Sequence, residues 1–187
     1  MDMSDARKAM ASWLGALARG GVLGGEGATE AEDRWDAAGR AVAAYVVGEP
    51  QLDTLRGWFA EQAPEIAARE RRAAVEVCIW MAHADRAIDP EEVHLLREII
   101  GLSGLDEDTQ DELVRESHEP PSLAGVERRL THPVLREMLL ALCWELATSD
   151  GRVASTERDF YQGLAKRLEV GAVRAAEIQR AIGERLG

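Results

Sequence analysis

Residues 78–100, CIWMAHADRAIDPEEVHLLREII, and residues 143–165, CWELATSDGRVASTERDFYQGLA, are two versions of one pattern. At an offset of 65 residues, Cys78 falls on Cys143, Ala82 on Ala147, Asp85 on Asp150, Ile88 on Val153, Glu92 on Glu157, Leu95 on Phe160 and Ile99 on Leu164. Each version reads as an apolar helix, an Asp, a few turn residues with one β-branched side chain, a Glu seven positions after the Asp, and a second apolar helix. A unit of that form cannot bury its apolar sides alone. Two of them packed face to face can. The pattern therefore predicts an all-α fold: a multi-helix bundle with two pseudo-repeated helix–acidic loop–helix units.

Working outward, helix signals dominate and no window alternates apolar with polar residues long enough for a strand. An amphipathic helix is expected over residues 4–19, with Met10, Trp13, Leu14 and Leu17 on one side. The Gly-rich run Gly20 to Gly27 ends it. A second helix is expected over 29–47, with Thr29 and Glu32 as a capping box, and a third over 51–62. Pro64 opens a long helix to about residue 84, Pro90 another to Ile100, where Gly101 and Gly104 stop it. Further helices are expected at 106–117, 122–131, 133–148, 155–168 and 172–186. This divides the chain into an N-terminal helix with its linker (1–28), helices packing on the core (29–69) and the repeated helical domain (70–187).

The chain has 187 residues, 46% of them hydrophobic, which is ample for a packed core. Its formal net charge of −12 repels phosphate backbones and argues against nucleic acid as a partner. Cations and basic protein surfaces suit it. Cys78 and Cys143 lie inside apolar runs and not in a CxxC pair, so they read as buried free thiols. No secretory signal and no apolar stretch of 18 or more residues is visible, which points to the cytoplasm. The helix carrying Arg7, Lys8, Trp13 and Leu17 suits packing on its own bundle, with peripheral membrane or partner contact as the alternative.

The repeated carboxylates carry the chemical interest. Each Asp sits where a helix ends, and the helix dipole disfavours an anion there. A hard divalent cation, Ca²⁺ or Mg²⁺, would reverse that penalty, because a turn supplies carboxylate and carbonyl oxygens together. Candidate metal ligands are Asp150 and Glu157 in the second loop, and Asp85, Asp89 and Glu92 in the first. Capping competes with this. Asp89-Pro90-Glu91-Glu92 reads as N-cap, N1, N2 and N3, which explains Glu92 without a metal. Ser155 would cap the helix after the second loop. Neither loop has the Asp ladder of an EF-hand.

The segment ATSDGRVASTE (147–157) resembles the signature of the TerB family of tellurite resistance proteins: small residues, Asp-Gly, an aliphatic two later and Glu at the seventh position. The resemblance covers about residues 70–170. It implies an all-helical bundle, no catalytic activity, acidic loops holding divalent cations such as calcium, and a link to tellurite resistance and wider stress response at the inner face of the membrane. Asp150 and Glu157 match the motif fully. Asp85 and Glu92 match only its acidic ends, since Arg86 stands where the family has Gly.

No nucleophile–base pair, P-loop, GxGxxG or HExxH is present, so no enzyme is expected. Glu91 and His94 have Glu-x-x-His spacing, but a helical di-iron site needs two copies. His83, His118 and His132 need no special role. The expected function is a non-enzymatic module that binds a divalent cation, or scaffolds other proteins. The alternative is a metal-free helical interaction domain whose acidic loops only cap helices.

Overall fold

The computed structural model describes residues 41, 43–83, 90–101, 103–119, 121–147 and 155–186. The expected helix at 4–19, the Gly-rich run, the Thr29–Glu32 capping box and most of the helix at 29–47 lie outside the described residues. Every regular element among the described residues is a helix, as the repeat implies.

A helical segment through residues 43–47 ends at Gly48, whose φ of 90° only glycine adopts without strain. Helix α1 (Glu49–Glu61) follows at once, with Pro50 in its first turn, where a missing N–H costs nothing. Then come α2 (Pro64–Ala82), α3 (Pro90–Gly101), α4 (Glu107–Glu116), α5 (Val126–Arg129), α6 (Pro133–Ala147), α7 (Ser155–Arg167) and α8 (Ala172–Leu186). Proline opens α2, α3 and α6 as anticipated. Asp106 caps α4 by accepting from the Thr109 N–H at 2.9 Å. Ser155 is the first helical residue of α7 and not the residue before it. The helix expected over 122–131 is one turn, Val126–Arg129. Gly125, with φ 73°, breaks the chain in front of it, and a Cβ there would meet Arg128 Nη2 at 2.9 Å.

Two helices form the centre. In α6, Leu135 and every residue from Met138 to Glu145 are buried; in α2, every residue from Ala73 to Ile79 is buried. Helices apolar all round must be enclosed by others. Accordingly α2 packs on α6, α3 and α5 pack on α2, and α1, α7 and α8 pack on α6. Each central helix thus makes a hairpin with its successor. Leu52, Leu55 and Phe59 of α1 enter the same core.

Cys78 and Cys143 are buried free thiols, as their apolar settings predict. Burial pushes the Cys78 thiol up to about 12. Burial, with Cys78 nearby, pushes the Cys143 thiol up as well.

The turn between α7 and α8 is a Schellman motif. The Val170 N–H donates to the Ala165 carbonyl (2.9 Å) and the Glu169 N–H to that of Lys166 (3.2 Å). Glu169 stands at the left-handed position with φ 57°. Its carboxylate accepts from Arg136 at 2.6 Å, which ties this turn to α6.

Candidate functional site

The acidic loops join α2 to α3 and α6 to α7. Asp85, Asp89 and Asp150 lie outside the described residues. Glu92 and Glu157 occupy the third positions of α3 and α7, and their side chains lie outside the described residues too. Among the described residues, no group of three or more His, Cys, Asp or Glu could hold a metal. The donor set that the two loops carry, carboxylates and backbone carbonyls, is all oxygen and fits a hard cation such as Ca²⁺ or Mg²⁺.

The helix ends that flank the loops are well defined. Trp80, in the last turn of α2, stacks on Phe160, in the second turn of α7, with centroids 4.7 Å apart and planes at 29°. The end of α2 that leads into the first loop therefore lies beside the part of α7 that follows the second loop. Trp80 is half-buried there, whereas Trp144 is fully in the core, edge-on to Tyr161 at 4.9 Å and 62°. The Tyr161 hydroxyl donates to the Ala175 carbonyl of α8 at 2.9 Å.

His83 ends α2 with its Nε2 3.0 Å from the Ser117 carbonyl. A carbonyl only accepts, so Nε2 carries the proton. This bond joins the end of α2 to the end of α4. His83 thus has a structural role, and His118 is exposed. His132 sits against Trp58, ring centroids 5.1 Å apart. Burial lowers its pKa.

Three charged groupings went unnoticed in the sequence. Buried Glu70 of α2 accepts from the Thr131 N–H at 2.9 and 3.0 Å and from the Thr131 hydroxyl, which fixes the entry to α6. Burial raises the Glu70 carboxyl pKa, the Thr131 hydrogen bonds opposing. Glu76, also in α2, is clamped by Arg72 Nε (3.1 Å) and Arg129 Nη1. Arg72 extends to Glu112 (2.8 Å) and Glu116 (3.4 Å) of α4. That bond to Arg72 holds the Glu112 carboxyl below its usual range. The usable signal was spacing: Glu70 and Glu76 interrupt an apolar helix, while Arg72–Glu76 and Glu112–Glu116 are i,i+4 pairs.

The third grouping is Arg174 of α8. It bonds Glu137 of α6 through Nε (2.9 Å) and Nη2 (2.8 Å), and Nη2 also donates to the Val46 carbonyl at 3.0 Å. A cation there meets the carbonyl end of the 43–47 segment, where it is favoured. Arg174→Ala is expected to speed amide exchange at Gly48, whose N–H donates to the Ala44 carbonyl at 2.9 Å. A rise of fivefold to tenfold, about 1 kcal/mol, fits the loss of one such contact. Unchanged exchange would show that the segment is held by its apolar side chains alone.

No helix among the described residues is long and apolar enough to cross a membrane. No curated protein and no solved structure matches the chain. The family model described as tellurite resistance protein TerB matches residues 71–180, more than half the chain. That span begins inside α2 and ends inside α8, and it contains residues 78–100 and 143–165. With its helical architecture, this match settles the assignment: the chain belongs to the TerB family.

Proposed function

We propose that this TerB-like chain is a non-enzymatic helical module that binds a divalent cation, Ca²⁺ or Mg²⁺, through Asp150 and Glu157. The observation that carries the reading is the family match across the Asp150–Glu157 unit. The hairpins act as two copies of one unit. Burial at common register supports this: Val77 and Leu142, Cys78 and Cys143, and Leu96 and Tyr161 are buried in both. The copies divide the work. Pro90 is the first residue of α3, which favours capping for Asp89 and Glu92, with Asp85 and Arg86 in a loop that holds no ion. Residues 70–187 make the module, and residues 29–69 pack on it. Leu52, Leu55 and Phe59 in the common core support that division. Its setting is the cytoplasm or the inner face of the membrane, in tellurite resistance or stress response, as a scaffold for other proteins.

Calorimetric and thermal titration test this. At a cation concentration 100-fold above Kd, binding to the folded state adds about 2.7 kcal/mol. For a chain of this size, that raises Tm by roughly 5–10 °C. Asp150→Ala should abolish both heat and shift, while Asp85→Ala leaves them within twofold. Absence of heat and shift in the unaltered chain would sink the ion-binding reading and leave the capping role for both loops.

A further inference from the structure

An open cleft of about 390 Å³ lies where α2, α4, α5 and the 117–125 connection meet. Its size falls within the range of roughly 300–1,000 Å³ found for ligand pockets. Its deepest group is Glu76, whose side chain is 9% exposed and whose two oxygens are both occupied, one by Arg72 and one by Arg129. Arg72 is fully engaged as well, since its remaining nitrogens serve Glu112 and Glu116. The base of the cleft is therefore internally neutralised. Its rim is not. The Glu119 side chain is exposed and its carboxylate has no hydrogen-bond or ion-pair partner among the described residues, and the Glu116 carboxylate is held by Arg72 at 3.4 Å. Against these acceptors stand donors: Nε and Nη2 of Arg129, which bond nothing among the described residues, and the hydroxyl of Ser122.

A ligand that satisfies both walls carries a cation and a neighbouring neutral acceptor. A phosphate or a carboxylate drawn to Arg129 would meet Glu116 and Glu119 beside it, on a chain of net charge −12. A free metal ion would leave the Arg129 and Ser122 donors unanswered. A peptide bearing Lys or Arg answers every group: its side-chain cation against Glu116 and Glu119, its backbone carbonyl against Arg129 and Ser122. We propose that this cleft is a docking site for a basic peptide segment of a partner protein. The proposal does not depend on an ion at the acidic loops.

The test is calorimetric titration in EDTA, at physiological salt, with an acetylated and amidated pentapeptide carrying Lys and Arg at its centre. Its counterpart with Glu at those positions is the comparison. The basic peptide should bind and the acidic one should not. Glu116→Gln with Glu119→Gln should weaken binding about tenfold, the loss of two charge-assisted contacts. A matched loss of two charges elsewhere, Asp53→Asn with Glu184→Gln, should change it less than twofold. Thermal melts of both pairs confirm that each variant is folded. Equal weakening in both pairs would reduce the effect to net charge and overturn the proposal. So would equal binding of the acidic peptide, or no binding of the basic one up to ~1 mM. Because EDTA removes divalent ions, none of these failures bears on the cation reading.

Discussion

Tyr161→Ala is expected to lower the unfolding free energy by about 3–5 kcal/mol, the cost of emptying a large aromatic site in a core. In a chain of this size that is a fall in Tm of roughly 6–20 °C. Tyr161 is fully buried and heads the largest side chains that are so. Its ring meets Trp144 of α6, and its hydroxyl reaches Ala175 of α8, so one side chain of α7 fastens it to both neighbours. The two contributions separate by substitution. Tyr161→Phe keeps the ring and loses the hydrogen bond, for about 1 kcal/mol. Denaturant melts of both variants give the comparison. If the Ala variant lost no more than the Phe variant, the hydroxyl and not the packed ring would be what holds α7 in place.

Glu70→Ala carries the second largest effect, about 2–3 kcal/mol. A buried carboxylate that accepts from both the N–H and the hydroxyl of Thr131 is removed, leaving those donors unanswered. The same group sets a pH dependence. Its folded pKa is raised above the ordinary 4.5, chiefly by burial. As pH rises through 4.5, the unfolded chain gives up this proton before the folded chain does. The group's contribution is therefore largest below 4.5, falls as pH climbs to the folded pKa, and is level beyond it. Glu70→Gln keeps an acceptor oxygen for Thr131 and carries no charge. Its stability at neutral pH should lie within about 1 kcal/mol of the parent. The stability difference between parent and Gln variant, followed by denaturant melts from pH 4 upward, isolates this carboxyl from the others. A difference that grows in the parent's favour as pH rises would contradict the assignment.

The architecture was legible because its punctuation is local. Pro64, Pro90 and Pro133 each open a helix where the sequence says one should begin, since proline costs nothing in a first turn. The apolar runs around Cys78 and Cys143 marked both thiols as buried, and they are. The turn at Val126–Arg129 was overdrawn, because the left-handed Gly125 decides its length and a glycine's φ cannot be read from its letter. The acidic unit from Asp150 to Glu157 was legible as a motif for the same reason: its spacing is short. What surrounds it was not. Periodicity says which face of a helix is apolar, but not which two faces meet. The stack of Trp80 on Phe160 joins residues from different hairpins. The partners of Glu70 and Glu76, Thr131 and Arg129, lie far along the chain, so no local pattern pairs them.

The two buried thiols have a consequence for how this chain would report on itself. In the folded molecule Cys78 and Cys143 are almost wholly shielded and strongly disposed to stay protonated. Alkylating reagents need an accessible thiolate. Both cysteines sit in the paired central helices, so reaching them means parting α2 from α6 and not merely fraying a terminus. The rate at which such a reagent marks the native protein is thus a clock for the rarest openings of its centre, and it runs without any introduced probe.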